Sequence, residues 1–142
     1  FTRPWLAHHP ALYYHLDPLI MSCALDRALN PERHVIGCAD PSAPLPEAYQ
    51  HWLDAFPAPI LKMSYESAEL AKLAVNYMLA SSIEAANTVA RIAEKIGADW
   101  GDIERALRSD KRIGEHAYIR PGVVGGHLPR DVKRIRELRG ET

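Results

Sequence analysis

Two hydrophobic periods run along this chain, and proline separates them. Nine of the eleven prolines fall between Pro4 and Pro59, and the next is Pro121. The proline ring removes a backbone donor and collides with the preceding helical turn, so long helices are confined to the proline-free stretch. In the first part, the run His34-Val35-Ile36-Gly37-Cys38 predicts a strand, opened by the turn-like Asn30-Pro31-Glu32. A second strand is predicted over 58–63. Between them Ala48, Tyr49, Trp52, Leu53 and Phe56 recur at helical spacing over 46–56, with Pro46 tolerated at a helix start. Strand, helix, strand with short connections is a parallel crossover unit, the building block of α/β sheets. Residues 19–29 read as a further helix. Residues 1–18 carry turn formers and scattered aromatics that assign no element.

From Glu66 to Ile96 the period becomes that of one long helix. Ser64 or Ser67 can cap it, Glu66 and Glu69 suit its positive end, and Gly97 can terminate it. At 1.5 Å per residue it is about 46 Å long. That is more than a domain of this size needs, and predicts a spine between domains or a packing surface for a second subunit. The small residues Ala80, Ser81, Ser82, Ala85, Ala86, Ala90 and Ala93 would let another helix approach closely. A short helix follows over 100–107, with Asp99 as N-cap and Asp102 in the capping-box position. Residues 110–129 form a loop holding Gly114, Gly122, Gly125 and Gly126, and a last helix covers 129–138.

Composition narrows the classes. The 142 residues carry 17 basic and 18 acidic side chains, for a net charge of −1. Such a balance gives no general field for nucleic acid or an anionic membrane. No apolar run reaches the length of a membrane span, so a soluble, cytoplasmic protein is expected. Cys23 and Cys38 are too few for a disulfide scaffold and lack metal-ligand spacing. His8, His9 and His15 are close in sequence without a framework to aim them at one ion. The chain begins at Phe1, which suggests a piece of something larger.

Candidate chemistry sits on the long helix and in the loop. Lys72 and Asn76 are four residues apart, hence on one helix face. An ammonium beside an amide can hold a hydroxyl and stabilise oxyanion charge, or the pair is part of a solvated face. In Pro121-Gly-Val-Val-Gly125-Gly126-His127-Leu-Pro-Arg-Asp131, paired glycines permit close backbone approach to a ligand, and a helix start at Pro129 favours an anion. A plain turn with a capped helix accounts for the same residues. Arg112 can make a bidentate contact to a carboxylate or phosphate, or lie on a solvated surface like Arg130, Lys133, Arg134, Arg136 and Arg139. No Gly-x-Gly-x-x-Gly occurs, so the chain holds no dinucleotide fingerprint.

In order and spacing, Ser67-Ala-Glu-Leu-Ala-Lys72-Leu-Ala-Val-Asn76-Tyr-Met-Leu-Ala80, Glu94-Lys-Ile-Gly-Ala-Asp99, Asp110-Lys-Arg-Ile-Gly114 and Gly125-Gly-His-Leu-Pro-Arg-Asp131 resemble the UDP-glucose/GDP-mannose dehydrogenase family. Asn30-Pro-Glu-Arg-His-Val-Ile-Gly37 extends the resemblance over most of 30–131. It implies enzymes of polysaccharide biosynthesis that oxidise the C6 alcohol of a nucleotide sugar with two NAD. It also implies an architecture for this piece. Residues 1–64 would be an α/β remnant, the parallel strand–helix–strand end of a Rossmann-like NAD-binding domain. Residues 65–142 would be a long central helix and an all-α dimerisation region, the homodimer forming through helix 66–96.

The resemblance implies roles as well. Lys72 and Asn76 match the residues that hold the reacting sugar, and Asp131 matches the aspartate that handles protons and orients water. Arg112 matches an arginine that reaches the partner subunit's substrate site; Gly125 and Gly126 match the substrate loop, with His127 beside them. Three departures stand out. The family pattern Gly-Gly-x-Cys-x-Pro-Lys-Asp lacks its cysteine here, which is deleted or replaced by His127, and Arg130 stands for the lysine. The family's catalytic glutamate aligns with Met21. Without a thiolate to capture the aldehyde, four-electron turnover is expected to be impaired. Two readings follow: a dehydrogenase limited to alcohol oxidation, or a non-catalytic dimerisation scaffold descended from one.

Overall fold

The computed structural model describes residues 9, 11–16, 21–114 and 117–140. It divides into two compact units, 1–72 and 73–142, each described separately below. The division falls within the long helix, whereas the sequence reading set its boundary at 64/65, where the second strand gives way to that helix.

The first unit is built on a three-stranded sheet in the order β1-β2-β3, with β1 Tyr14–Leu16, β2 His34–Cys38 and β3 Ile60–Ser64. β2 and β3 run parallel, His34 opposite Ile60 through Cys38 opposite Ser64. Between them lies α2 (Glu47–Asp54), the expected crossover. All five residues of β2 are buried, as a central strand's near-continuous apolar run requires. β1 pairs antiparallel to the other side of β2, Tyr14 opposite Gly37 and Leu16 opposite Val35. It lies in the segment whose pattern assigned no element. The helix expected over 19–29 is a short 3-10 turn at Met21–Cys23 running into α1 (Ala24–Leu29); 19 and 20 lie outside the described residues.

Leu16, Val35 and Ala68 form the core of this unit, flanked by Tyr14 and Met63. Gly37 is the point of closest approach. A Cβ placed there would lie 2.9 Å from the Ala68 Cβ, 3.2 Å from the Tyr14 Cβ and 3.2 Å from the Tyr65 Cα. The start of the long helix therefore crosses the sheet over a residue that has no side chain. His34, buried on β2, directs Nε2–H to the Phe56 carbonyl at 2.8 Å, and its Nδ1 meets His15 Nε2 at 3.3 Å. Its donor and acceptor are thus both used, which a buried imidazole needs.

The long helix, α3, spans Tyr65–Ile96 and is about 48 Å long. Of the two candidate serines, Ser64 caps it. Its Oγ accepts from the Ser67 backbone N–H at 3.2 Å and donates to the Ser67 Oγ. At the far end Gly97 takes φ +74°, and Ala98 N–H closes back onto the Ala93 carbonyl at 2.9 Å, a Schellman stop. In the second unit α4 (Trp100–Ser109) opens on Asp99, whose carboxylate accepts from Asp102 N–H. A loop then leads to α5, Leu128–Leu138, which starts one residue before the expected Pro129 and carries that proline in its first turn.

Of the small residues on α3, Ala80, Ala86 and Ala93 are buried within this chain together with Ile83. The large apolar side chains of α3 left exposed are Leu70, Val75, Met78, Val89, Ile92 and Ile96. From Val75 on, together with Ser82 and Ala85, they recur at alternating steps of three and four, the spacing of a coiled-coil seam.

Candidate functional site

The two motifs farthest apart in sequence meet in the second unit. Asn76, on α3, donates its Nδ2–H to Asp131 Oδ2 at 2.6 Å. Asp131 occupies the first turn of α5 and is only 3% exposed. A carboxylate so buried requires compensation, and its other oxygen, Oδ1, accepts from Arg130 Nε at 2.9 Å with Nη2 at the same distance. The helix start adds favourable partial charge. Lys72 is exposed on α3, one turn before Asn76 on the same ridge.

The loop before Asp131 is held by a second asparagine of α3. Asn87 Oδ1 accepts from Gly122 N–H at 2.7 Å, while its Nδ2–H donates to the Gly122 carbonyl at 2.8 Å. One side-chain amide thereby satisfies both backbone groups of a loop residue. Gly125 and Gly126 follow, exposed, with Gly126 at φ +62°. That angle is costly for any residue with a Cβ, so this glycine is a backbone requirement. His127 is exposed and supplies the backbone carbonyl that receives Asp131 N–H at 3.1 Å; its ring forms no cap. An open groove of about 1050 Å³ lies alongside, with Glu84, Val124, Pro129, Val132, Lys133 and Arg136 in its wall. Neither Asn76 nor Asp131 lines it.

Arg112 stands apart from this cluster, in the turn after α4. Its carboxylate partner is on the same loop: Nε donates to Asp110 Oδ1 at 3.0 Å and Nη2 to Oδ2 at 2.7 Å, with its backbone N–H also on Oδ1. These bonds hold the Asp110 carboxyl below its usual range and raise the guanidinium's own. The arginine side chain is still 89% exposed. Nothing in the described residues brings Arg112 to Asp131.

The sequence reading placed Asn76, Lys72 and Asp131 at one site by resemblance, and the Asn76–Asp131 contact is present. Asn87 is not among the residues that the sequence singles out, and Arg130 reads there as solvated surface. An asparagine on an otherwise apolar and small-residue stretch of helix is the signal that was available for the first. Arg130 had none beyond its adjacency to Asp131.

A dinucleotide does not fit what the described residues offer, since none of their strands passes through a glycine-rich turn into a helix N-terminus. Groups of three or more potential metal ligands are likewise lacking among the described residues. No helix among them is long and apolar enough to cross a membrane.

What remains is a polar constellation on a long helix and a following loop. Comparison with known proteins bears on the chain as a whole. The pattern of the UDP-glucose/GDP-mannose dehydrogenase family, central domain, matches residues 66–142. The UDP-glucose 6-dehydrogenase TuaD of Bacillus subtilis is 33% identical over 119 residues, 81% of this chain and 25% of that one. The UDP-glucose 6-dehydrogenase of Pseudomonas aeruginosa is 35% identical over 115 residues, 79% of this chain and 25% of its own length. Among solved structures, a UDP-glucose dehydrogenase from the archaeon Pyrobaculum islandicum superposes with a TM-score of 0.74 at 34% identity, over 91% of this chain and 30% of that one. This chain belongs to the UDP-glucose/GDP-mannose dehydrogenase family. It spans about a quarter of the length of the curated relatives it matches.

Proposed function

We propose that this chain is the sugar-holding centre of an NAD-dependent nucleotide-sugar dehydrogenase that oxidises a C6 alcohol. The observation that carries the proposal is the Asn76–Asp131 hydrogen bond, which joins residues 55 positions apart and buries a carboxylate beside a helix start. Oxidation of a primary alcohol removes a proton from oxygen and a hydride from carbon. Lys72 and Asn76 hold the alcohol oxygen, and Asp131 takes up its proton. NAD, the hydride acceptor by family resemblance, is assigned to no residue of this chain. Arg112, rigidly presented at the surface, suits the diphosphate of a nucleotide sugar in a neighbouring subunit. The absence of a cysteine among Gly125–Asp131 leaves no thiol to capture the aldehyde, so the proposed reaction stops at the two-electron stage.

A second reading, a dimerisation scaffold without catalysis, is favoured by one specific observation: the exposed seam Val75, Met78, Val89, Ile92, Ile96 on α3. The two readings share a homodimer through helix 66–96 and differ in turnover. Expressing the reading frame that contains this chain, with UDP-glucose or GDP-mannose and NAD, separates them. Reduced nicotinamide should form, and Lys72→Ala or Asp131→Asn should lower its rate at least about 100-fold, the range of a lost general acid–base group. Rates equal to the parent in both variants would overturn the site assignment. Absence of turnover with a stable dimer in light scattering would leave the scaffold reading in its place.

A further inference from the structure

We propose that Arg130 is a positioning residue that fixes and keeps ionised the carboxylate of Asp131. The argument starts from burial. Asp131 is 3% exposed, and a carboxylate out of water becomes protonated unless charge or donors are aimed at it. The two oxygens are served differently. Oδ2 has the neutral Asn76 amide at 2.6 Å, whereas Oδ1 has the guanidinium, through Nε and Nη2, both at 2.9 Å. The arginine is the residue immediately before the aspartate, and its guanidinium reaches the carboxylate of its own neighbour. Its 69% exposure is consistent with that place: one edge of the planar fork grips Oδ1 and the rest meets water.

Two consequences follow from these contacts. The hydrogen bonds from the cation make Oδ1 less basic than it would be without them. With the guanidinium on Oδ1 and the Asn76 amide on Oδ2, both oxygens are held, which fixes the carboxylate's rotation about its last torsion. Charged groups on its own helix and on α3 include Lys133, Arg134 and Lys72. Arg134, one turn on, pairs with Glu137, and Lys72 lies one turn before Asn76. The inference about catalysis rests on the proton-accepting role given to Asp131 above; the inference about ionisation does not.

The test follows the Asp131 carboxyl carbon by NMR in the full chain with labelled aspartate, Asp131→Asn identifying the signal. Arg130→Gln should raise its titration midpoint by about one pH unit, allowing for the screening of an exposed cation. Arg130→Lys should raise it by less than half as much, since the charge remains and the fork is lost. A midpoint within about 0.3 pH unit of the parent in a folded Arg130→Gln chain overturns the proposal. Should that variant not fold, an unshifted midpoint in Arg130→Lys together with unchanged exchange of the Asp131 amide overturns it instead. If reduced nicotinamide is formed, the acid limb of kcat/KM should move upward with the same ranking. A shifted carboxyl with an unmoved acid limb would leave the positioning role intact and refute Asp131 as proton acceptor.

Discussion

Replacing Gly37 by alanine tests whether the long helix and the sheet meet as described. The added Cβ lies 2.9 Å from the Ala68 methyl and 3.2 Å from the Tyr65 Cα. Carbon atoms rest at about 3.5–4.0 Å, so the contact is short by about 0.6 Å or more. Neither neighbour can turn aside: one is a methyl fixed to its backbone, the other is backbone. The first turns of α3 must therefore lift from β2, and overpacking of this kind costs about 1–3 kcal/mol. Removing a glycine from a strand returns about 0.5–1 kcal/mol through the unfolded chain. The net destabilisation is about 1–2 kcal/mol, which for a domain approaching this size lowers Tm by roughly 3–6 °C. Circular dichroism melts of Gly37→Ala measure it. An Ala68→Gly background supplies the control: helix propensity alone makes that variant about 1 kcal/mol less stable, yet with the methyl gone Gly37→Ala should cost less there than in the parent. An unchanged or raised Tm, or an equal cost in both backgrounds, refutes the packing argument.

Two further outcomes are expected. Asp99→Ala removes the side chain that accepts Asp102 N–H at the start of α4 and should lower stability by about 1 kcal/mol, read as a shifted urea midpoint, with Asp99→Ser largely retaining it. Glu104 is held below its ordinary 4.5 first by hydrogen bonds from the Arg108 side chain, then by the charges of Arg108 and Arg120. Its folded pKa being the lower one, the unfolded chain takes up the proton first as pH falls. The contribution is present above about pH 4.5 and is lost as pH drops through the folded value. Glu104→Gln should lower stability slightly at neutral pH and leave it nearly unaltered well below the folded value, so that the acid limb of a stability–pH curve flattens; an unaltered acid limb would show that this pair contributes nothing.

What could be read in advance depended on how local its cause was. β2, α2, β3 and α3 announce themselves because their period, proline placement and termini are written within each segment; Asp99 and Gly97 performed the roles their chemistry implies. β1 did not, because three residues among aromatics become a strand only when β2 offers its edge, a tertiary event. The meeting of Asn76 with Asp131 had no local signature either, and came from family resemblance alone. The small residues of α3 leave their neighbour open for a physical reason: alanine serves close packing inside a chain as well as between chains, and composition does not say which. Arg130 was passed over because an arginine in a basic helix looks solvated until its neighbour is known to be buried.

The two asparagines of α3 act as pegs eleven residues apart, a spacing of roughly 16 Å along the helix axis. The nine peptide steps from Gly122 to Asp131 reach up to about 30 Å when extended, so the chain between the pegs has slack. Slack of that kind uncouples the identity of the intervening side chains from the frame that carries them. A nucleophile can vanish there, or the segment shorten by a position, and the carboxylate at its end still arrives at the same amide. In such a frame reactivity can drift while architecture is conserved, so lineages with altered chemistry should keep both pegs long after the residues between them have diverged.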